Sequence, residues 1–147
     1  MKLIIASGTS FSSLLIKLFT FSKWSHTAVM FDANTVIDVT YRTGVRCISY
    51  AEFKSEYSDV YEVDVALPHE DRALKFALDQ LGKRYDYTAI LGILFRNRKW
   101  ESDDNWFCSE LSETICVYGG KRRIRTEASG VLPRESFAVL SDSEGVV

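Results

Sequence analysis

The chain has 147 residues, which is the length of one ordinary domain and leaves no room for a second full one. Hydrophobic residues make up 46% of the sequence and charged residues 26%, a balance that excludes a disordered, collagen-like or disulfide-scaffold protein. The formal net charge of -2 provides no overall positive field, so nucleic acid is not an expected partner. We predict one domain over residues 1–140 and a frayed tail at residues 141–147.

No apolar run approaches the roughly 20 residues that span a bilayer. The apolar run at residues 3–6 is also shorter than the core of a signal peptide, which has about 7–15 residues. We therefore predict a cytoplasmic protein without a transmembrane segment. Such a protein would reach a target outside the cell only through lysis, injection or a phage particle.

An odd number of cysteines without a CxxC pair indicates free thiols, because no export signal accompanies them. They are Cys47, Cys108 and Cys116. The two histidines, His26 and His69, form no ligand pair with the spacing of a zinc site. We therefore expect neither a metal nor another cofactor.

The first half of the chain predicts a mainly antiparallel sheet with two helices. Residues 3–6 indicate a strand, and Ser10 is a suitable N-cap for a helix over residues 10–21. The β-rich runs at residues 26–31 and 36–41 predict a hairpin, since Asp and Asn in the intervening residues 32–35 suit a tight turn. The apolar residues of the first helix fall on one side: Leu14, Leu15, Leu18 and Phe19. The remaining elements of this half are strands at 45–49 and 60–65 and a helix at 50–57.

The second half predicts helices. Residues 69–81 form the clearest one, because their leucines and alanine recur at i, i+3, i+4 and i+7 and Gly82 follows the end. These apolar residues are Leu74, Ala77, Leu78 and Leu81. Further elements are a helix at 88–95, an exposed loop or lid at 96–105, a helix at 106–118 with Leu111 and Ile115 inward, and a strand at 136–140. The predicted fold class is α+β, a mainly antiparallel sheet packed against helices.

A basic cluster follows the last predicted helix. Such clusters are usually solvated edges, although this one could instead bind an anionic substrate group or a lipid phosphate. Its members are Lys121, Arg122, Arg123 and Arg125.

Cys108 stands where a polar segment enters a helix. Its sulfur would lie beside backbone N–H groups that lack helical acceptors and at the positive end of the helix dipole, and both features favour a thiolate. Cys108 is therefore a candidate nucleophile. The alternative is a small buried apolar residue, which is the role we expect for Cys116.

His26 opens a predicted strand, so its ring would lie at the end of the sheet, within reach of a neighbouring thiol. The alternative is a hydrogen-bonded structural histidine. Asp38 occupies a polar position on the next strand. In a hairpin, the numbers of two residues that lie opposite each other always give the same sum. Asp38 and His26 share a face only if this sum is even, for example 66, which requires an odd-length turn centred near Ala33. A two-residue turn would leave Asp38 on the opposite face as an exposed strand residue.

Six short segments occur in an order that points to a known family. They are SHTAVMF, VID, GVRCISYAEF, LGKRYDY, FCSEL and VLPRESF. Their order and spacing resemble the circularly permuted branch of the NlpC superfamily of papain-like hydrolases, the YiiX/YebB-like proteins. The resemblance covers about residues 10–140. In that branch the histidine strand precedes the cysteine helix, as His26 precedes Cys108 here.

The resemblance implies a papain-like α+β fold and a thiol hydrolase that cleaves an amide bond in a cell-wall peptide or an isopeptide. Cys108 would be the nucleophile, His26 the base and Asp38 the residue that orients the imidazole. Glutamate is more usual than aspartate at the third position. Tyr85, in the segment that resembles the family's glycine-tyrosine motif, would be a second oxyanion donor or a substrate contact. Its alternative is a packed tyrosine with its hydroxyl at the surface.

Two other functions remain open on the sequence. One is lipid thioesterase or acyltransferase chemistry, as in the similar lecithin:retinol acyltransferase-like group, which a deep apolar channel would favour. A polar groove would favour a peptide instead. The other is an inactive binding module that keeps the fold without a reactive cysteine.

Overall fold

The computed structural model describes residues 1–86 and 105–123. Five predicted features lie wholly or mainly outside these residues. They are the helix at 88–95, the loop at 96–105 except Asn105, the strand at 136–140, the tail at 141–147 and Arg125.

Five strands form one antiparallel sheet. They are β1 (Lys2–Ser7), β2 (His26–Met30), β3 (Thr35–Thr40), β4 (Gly44–Ser49) and β5 (Asp59–Asp64). Their order across the sheet is β4-β3-β2-β1-β5, so the N-terminal strand lies between β2 and β5. Strands β1 and β2 are buried along almost their whole length, which explains their apolar runs at residues 3–6 and 28–30. The mixed α+β class with a mainly antiparallel sheet is confirmed.

The turn between β2 and β3 has the odd length on which the position of Asp38 depends. Val29 pairs with Ile37 and Met30 with Val36, so paired positions sum to 66. The Asp32 carboxylate closes the turn by accepting hydrogen bonds from the backbone N–H groups of residues 34 and 35, at 2.8 and 2.7 Å. Asp38 therefore lies on the same face of the sheet as His26.

In the described residues, four helices and a short pair of parallel strands accompany this sheet. The helices are α1 (Phe11–Thr20), α2 (Tyr50–Glu56), α3 (Glu70–Asp79) and α4 (Cys108–Tyr118), and the added strands are β6 (Arg84–Tyr85) and β7 (Asn105–Trp106). The predicted cap is confirmed, because the Ser10 side chain accepts a hydrogen bond from the N–H of Ser13. The predicted helix at 106–118 begins two residues later than expected, since its first positions belong to β7.

The two faces of the sheet carry separate apolar cores. On one face, Leu3 and Ile5 pack with Leu111 and Ile115 of α4, as predicted for that helix. On the other face, Ile4 and Ala6 pack with Phe53 of α2. This division follows from the alternation of side chains along β1. Both faces of the sheet are thus covered by helices.

The predicted buried sides of α1 and α3 are wrong in part. Leu14 and Leu18 are 55% and 65% exposed, while Ile16 of α1 is buried. In α3, the inward residues are Ala73 and Ala77, whose small side chains let the helix approach α4 closely. The three leucines that set its periodicity are exposed by 37% or more: Leu74, Leu78 and Leu81.

Among the described members of the basic cluster, the prediction of a solvated edge is wrong for Arg123. Lys121 and Arg122 are exposed, but the guanidinium of Arg123 is buried and donates to the Glu113 carboxylate at 2.8 Å. Glu113 is fully buried in α4. A carboxylate at that position requires a counter-charge, and Arg123 supplies it.

Within residues 1–86 and 105–123, none of the helices has the length and apolar character needed to span a bilayer. The three cysteines are free: Cys47 is exposed, and the other two are buried.

Candidate active site

Cys108 is the first residue of α4. Phe107 precedes it in an extended conformation, and the carbonyl of Phe107 accepts the first helical hydrogen bond, from the N–H of Leu111 at 2.9 Å. The first backbone N–H groups of the helix therefore have no acceptor within it. The Cys108 side chain lies in the core between α4 and the sheet and is only 1% exposed.

His26 is the first residue of β2, so its ring lies at the end of the sheet. Its Nε2 is 3.0 Å from Oδ2 of Asp38, and both side chains are buried. The ring is also hydrogen-bonded to the Cys108 thiol group. Because Asp38 engages Nε2, Nδ1 is the nitrogen that faces the sulfur. The three residues thus form a continuous chain from sulfur to carboxylate.

The environment of His26 favours its protonated form. Burial alone would lower the pKa of His26, but hydrogen bonds and charges from Asp38 and Cys108 outweigh it and raise the pKa to about 9. The imidazole therefore carries a proton at neutral pH. A cationic ring between a sulfur and a carboxylate is suited to stabilise negative charge on the sulfur.

Asp38 is held from its other side by Arg46 of β4. The two residues are directly opposite in the β3–β4 pairing. Arg46 donates from Nε to Oδ1 at 2.8 Å and from Nη2 to Oδ2 at 3.2 Å. Its remaining donors reach Glu56 of α2, with the shortest contact at 2.6 Å. The Asp38 carboxylate therefore has a fixed orientation toward the imidazole.

These contacts keep Asp38 ionised although it is buried. Burial alone would raise the pKa of Asp38, but the hydrogen bonds and positive charges of His26 and Arg46 hold it below its usual value. Sequence reasoning missed Arg46. The available signal was a charged residue at an alternating position of a strand, opposite Asp38 once the hairpin register is set.

Tyr57, just after α2, covers the imidazole. Its ring stacks on that of His26 with centroids 5.0 Å apart and planes 10° apart, and Phe53 packs beside both rings. Burial, together with the negative charges of Asp38 and Cys108, raises the pKa of Tyr57 well above its ordinary value. The phenol is therefore neutral, and the ring limits the rotation of His26. No pattern in the sequence indicated this contact.

A polar contact attaches α4 to β2 beside the candidate site. Ser112, one turn after Cys108, donates to the Cys108 carbonyl oxygen at 2.9 Å and lies 3.2 Å from the Thr27 hydroxyl. Thr27 is the neighbour of His26 in sequence, and all of these groups are buried. The contact therefore fixes the start of α4 relative to the histidine.

Tyr85 lies near Cys108 because β6 and β7 pair. Tyr85 is opposite Trp106, and its ring packs edge-on against Phe107 with centroids 5.9 Å apart. The side chain is 7% exposed. The ring is thus packed, and the same residue also borders the cleft described next.

An open cleft of about 540 Å³ adjoins His26. Two apolar side chains larger than alanine, Ile16 and Val39, line it. The rest of its described lining is glycine, aromatic and polar residues, drawn mainly from the start of α1, the β3–β4 turn and the end of α2. Cys108 is not part of this lining, so among the described residues the cleft meets the site through His26 and Tyr85.

The model of one protein family matches residues 4–137 of the chain, and that family is described as permuted papain-like amidase enzymes, YaeF/YiiX, C92 family. The chain belongs to this family. It is therefore a papain-like enzyme of the cysteine peptidase/amidase class. No curated protein matches the chain.

The structure brings Cys108, His26 and Asp38 together, and Tyr85 packs against Phe107 and lines the adjoining cleft. Residues 1–86 and 105–123 contain no group of three or more His, Cys, Asp or Glu side chains positioned to hold a metal ion.

Proposed function

We propose that the protein hydrolyses an amide bond in a peptide substrate, with Cys108 as the nucleophile. The observation that carries this proposal is the chain of contacts from Cys108 through His26 to Asp38. Nucleophile, base and orienting group occur in the order that thiol hydrolysis requires. A cell-wall peptide or an isopeptide is the substrate class that we propose from the family resemblance.

The first half of the reaction forms an acyl-enzyme. The Cys108 thiol gives its proton to Nδ1 of His26, and the resulting thiolate attacks the carbonyl carbon. Negative charge moves to the carbonyl oxygen, where the Cys108 backbone N–H donates to it. Tyr85 is our candidate for the second donor. His26, protonated on Nδ1, then gives that proton to the amide nitrogen as the carbon–nitrogen bond breaks. The amine leaves, and the acyl group remains on sulfur as a thioester.

The second half releases the acyl group. The neutral Nδ1 of His26 accepts a proton from water as the water oxygen attacks the thioester carbon. Breakdown of the tetrahedral intermediate expels the sulfur as a thiolate, and the carboxylic acid leaves. Asp38 keeps Nε2 protonated throughout, so that Nδ1 is always the nitrogen that exchanges protons.

The cleft supports a peptide substrate over an acyl chain. Its lining includes hydroxyl groups of Thr9, Ser10 and Ser13 and the charged groups of Arg42 and Glu56. A bound acyl chain would displace water from these polar groups, whereas a peptide backbone can form hydrogen bonds with them. The acyltransferase-like function and the inactive module are the competing outcomes of the experiment below.

Three finer assignments stay predictions. Placement in the YiiX/YebB-like branch of the NlpC superfamily rests on the order of the six segments. A single domain over residues 1–140 would be tested by limited proteolysis of the whole chain, and a cytoplasmic location by fractionation of the native host.

The decisive experiment offers the purified protein a panel of peptide amides and a panel of fatty-acyl thioesters, and measures turnover and acyl adducts by mass spectrometry. We expect cleavage of peptide amides and an adduct on Cys108. Cys108→Ala should abolish both, while Cys47→Ala, which changes an exposed thiol, should abolish neither. Turnover of thioesters alone would favour the acyltransferase-like function. No turnover, together with no alkylation of Cys108 by iodoacetamide at pH 6, would show an inactive module.

Asp38→Asn tests the third role. The variant keeps the shape of the side chain but no longer stabilises the imidazolium or selects its tautomer. We expect activity to fall about 10²–10⁴-fold while circular dichroism shows a folded protein. Unchanged turnover would remove Asp38 from the mechanism.

A further inference from the structure

The turn between β3 and β4 carries a guanidinium along the rim of the cleft. Arg42 and its neighbours Tyr41 and Thr43 all belong to the lining. The Nε of Arg42 donates to the Tyr41 hydroxyl at 2.8 Å, and the guanidinium carbon lies 5.4 Å from the centre of the Tyr41 ring. The aromatic ring therefore supports one orientation of the Arg42 head group.

The turn itself is held by its own polar groups. The hydroxyls of Thr40 and Thr43 are hydrogen-bonded at 2.8 Å, and Gly44 adopts a φ of 70° at the start of β4. Arg42 thus projects from a short, closed turn. A recognition group needs such support, because ordering a long side chain on binding costs conformational entropy.

Arg42 differs from Arg46, which also lines the cleft, in having no carboxylate beside it in the described residues. Arg46 is bonded to two carboxylates, those of Asp38 and Glu56. Arg42 has no acidic partner among residues 1–86 and 105–123. Its Nε is engaged by Tyr41, so its two terminal NH₂ groups are the donors available to a ligand. In the described part of the chain, Arg42 is therefore an arginine of the cleft whose charge no carboxylate balances.

We propose that Arg42 is a specificity-determining residue that selects peptide substrates with a carboxylate close to the scissile amide. This inference rests on the proposed amide hydrolysis and narrows its substrate class to acidic peptides. The terminal NH₂ groups of a guanidinium match the two oxygens of a carboxylate in a planar, bidentate pair. A substrate that carries a cationic group, such as a lysine side chain, at the same place would be repelled by Arg42.

The test compares peptide amides that differ by a single Glu in place of Gln, scanned through each position of one short sequence. For the position nearest Arg42, we expect the Glu peptide to have a kcat/KM about tenfold above that of the Gln peptide, mainly through KM. Arg42→Gln should abolish this preference, because it should lower kcat/KM for the Glu peptide much more than for the Gln peptide. The matched control is Arg72→Gln, which removes an exposed arginine of α3 outside the cleft.

A binding measurement separates this inference from the proposed function. In a Cys108→Ala background, fluorescence anisotropy should give about tenfold tighter binding of the Glu peptide, and added Arg42→Gln should remove the difference. If wild-type protein cleaves nothing but this binding preference holds, the hydrolase proposal fails and the Arg42 inference stands. If peptides are cleaved without a Glu preference, or if Arg42→Gln weakens both peptides equally, the Arg42 inference is overturned and hydrolysis stands.

Discussion

At the scale of single residues, the site depends on a buried histidine that keeps its proton. The pKa of His26 is raised from 6.5 to about 9, so the folded protein binds a proton that the unfolded chain releases between these values. The resulting stabilisation is fully present below pH 6.5 and is lost as pH rises through 9. Its upper limit is about 3 kcal/mol.

We therefore expect the free energy of unfolding to decrease between pH 6.5 and 9, and His26→Gln to flatten that part of the profile. Urea titrations at several pH values measure both curves. His69→Gln, at an exposed histidine, is the matched control and should keep the wild-type slope. Parallel curves for wild type and His26→Gln would show that His26 does not retain its proton on folding.

Arg46 shows how one missed residue supports a predicted one. Arg46→Gln removes two hydrogen bonds from a buried carboxylate, so we expect a loss of about 1–3 kcal/mol in stability and a higher pKa for Asp38. The pH at which activity is lost on acidification should therefore be higher in this variant. Glu56→Gln, which removes the outer partner of Arg46 but leaves Asp38 bonded, is the control and should have a smaller effect. Loss of activity at the same acidic pH in all three proteins would contradict a positioning role for Arg46.

At the scale of elements, one glycine joins the sheet to the segment that carries Tyr85. Gly44 has a φ of 70°, and a Cβ there would overlap the Lys83 carbonyl oxygen. That same carbonyl accepts a hydrogen bond from the N–H of Val45 at 2.8 Å. The close approach brings the chain before β6 against the start of β4.

Gly82 makes this argument testable, because it also has a positive φ, of 83°, but a Cβ there would meet nothing within 4 Å. Gly82→Ala should cost about 1 kcal/mol from backbone strain alone. Gly44→Ala should cost clearly more, since strain and overlap add. Thermal or urea unfolding of the two variants measures the difference. Equal losses of stability in the two variants would mean that the close approach of Lys83 to Gly44 adds nothing to the cost of the substitution.

Element boundaries were easier to predict than buried faces. The hairpin, the Ser10 cap and the inward Leu111 and Ile115 follow from local patterns, which act over a few residues. The exposure of Leu14 and Leu18 does not, because the covered side of a helix depends on which distant elements pack against it. The helix α1 offers apolar residues on more than one side, so periodicity alone could not choose.

The candidate site also could be predicted where it depends on local sequence, but not where it depends on contacts between distant segments. The positions of Cys108 and His26 at the start of a helix and of a strand could be identified from local sequence, and Asp38 followed conditionally on an odd turn. Arg46 and Tyr57 reach the site through strand pairing and helix packing. Those contacts join residues far apart in the chain and leave no short-range pattern.

At the scale of the whole molecule, a buried ion pair attaches the chain after α4 to the helix. Arg123 bonds Glu113 through its backbone N–H and its Nη2, while its Nε and Nη1 are buried without hydrogen-bond partners in the described part of the chain. Glu113→Gln would leave this guanidinium uncompensated. We expect a loss of about 3–5 kcal/mol.

The double variant Glu113→Gln/Arg123→Met removes both charges and should recover part of that loss, as measured by urea unfolding in a double-mutant cycle. Additive losses in the cycle would show that the two side chains do not depend on each other. Because α4 begins with Cys108, activity should be recorded beside stability.

The contact between Ser112 and Thr27 has a consequence for how the enzyme fails on heating. The sulfur is carried by α4 and the imidazole by β2, and the Ser112 contact joins these two elements one turn away from Cys108. A shift of about 1 Å between α4 and the sheet would move the sulfur away from the imidazole. Neither apolar core would admit water, and the backbone hydrogen bonds would remain. Warming should therefore extinguish turnover several degrees before the tryptophan fluorescence changes. The catalytic rate would then report the position of α4 relative to the sheet, and it would respond to heating before the tryptophan fluorescence does.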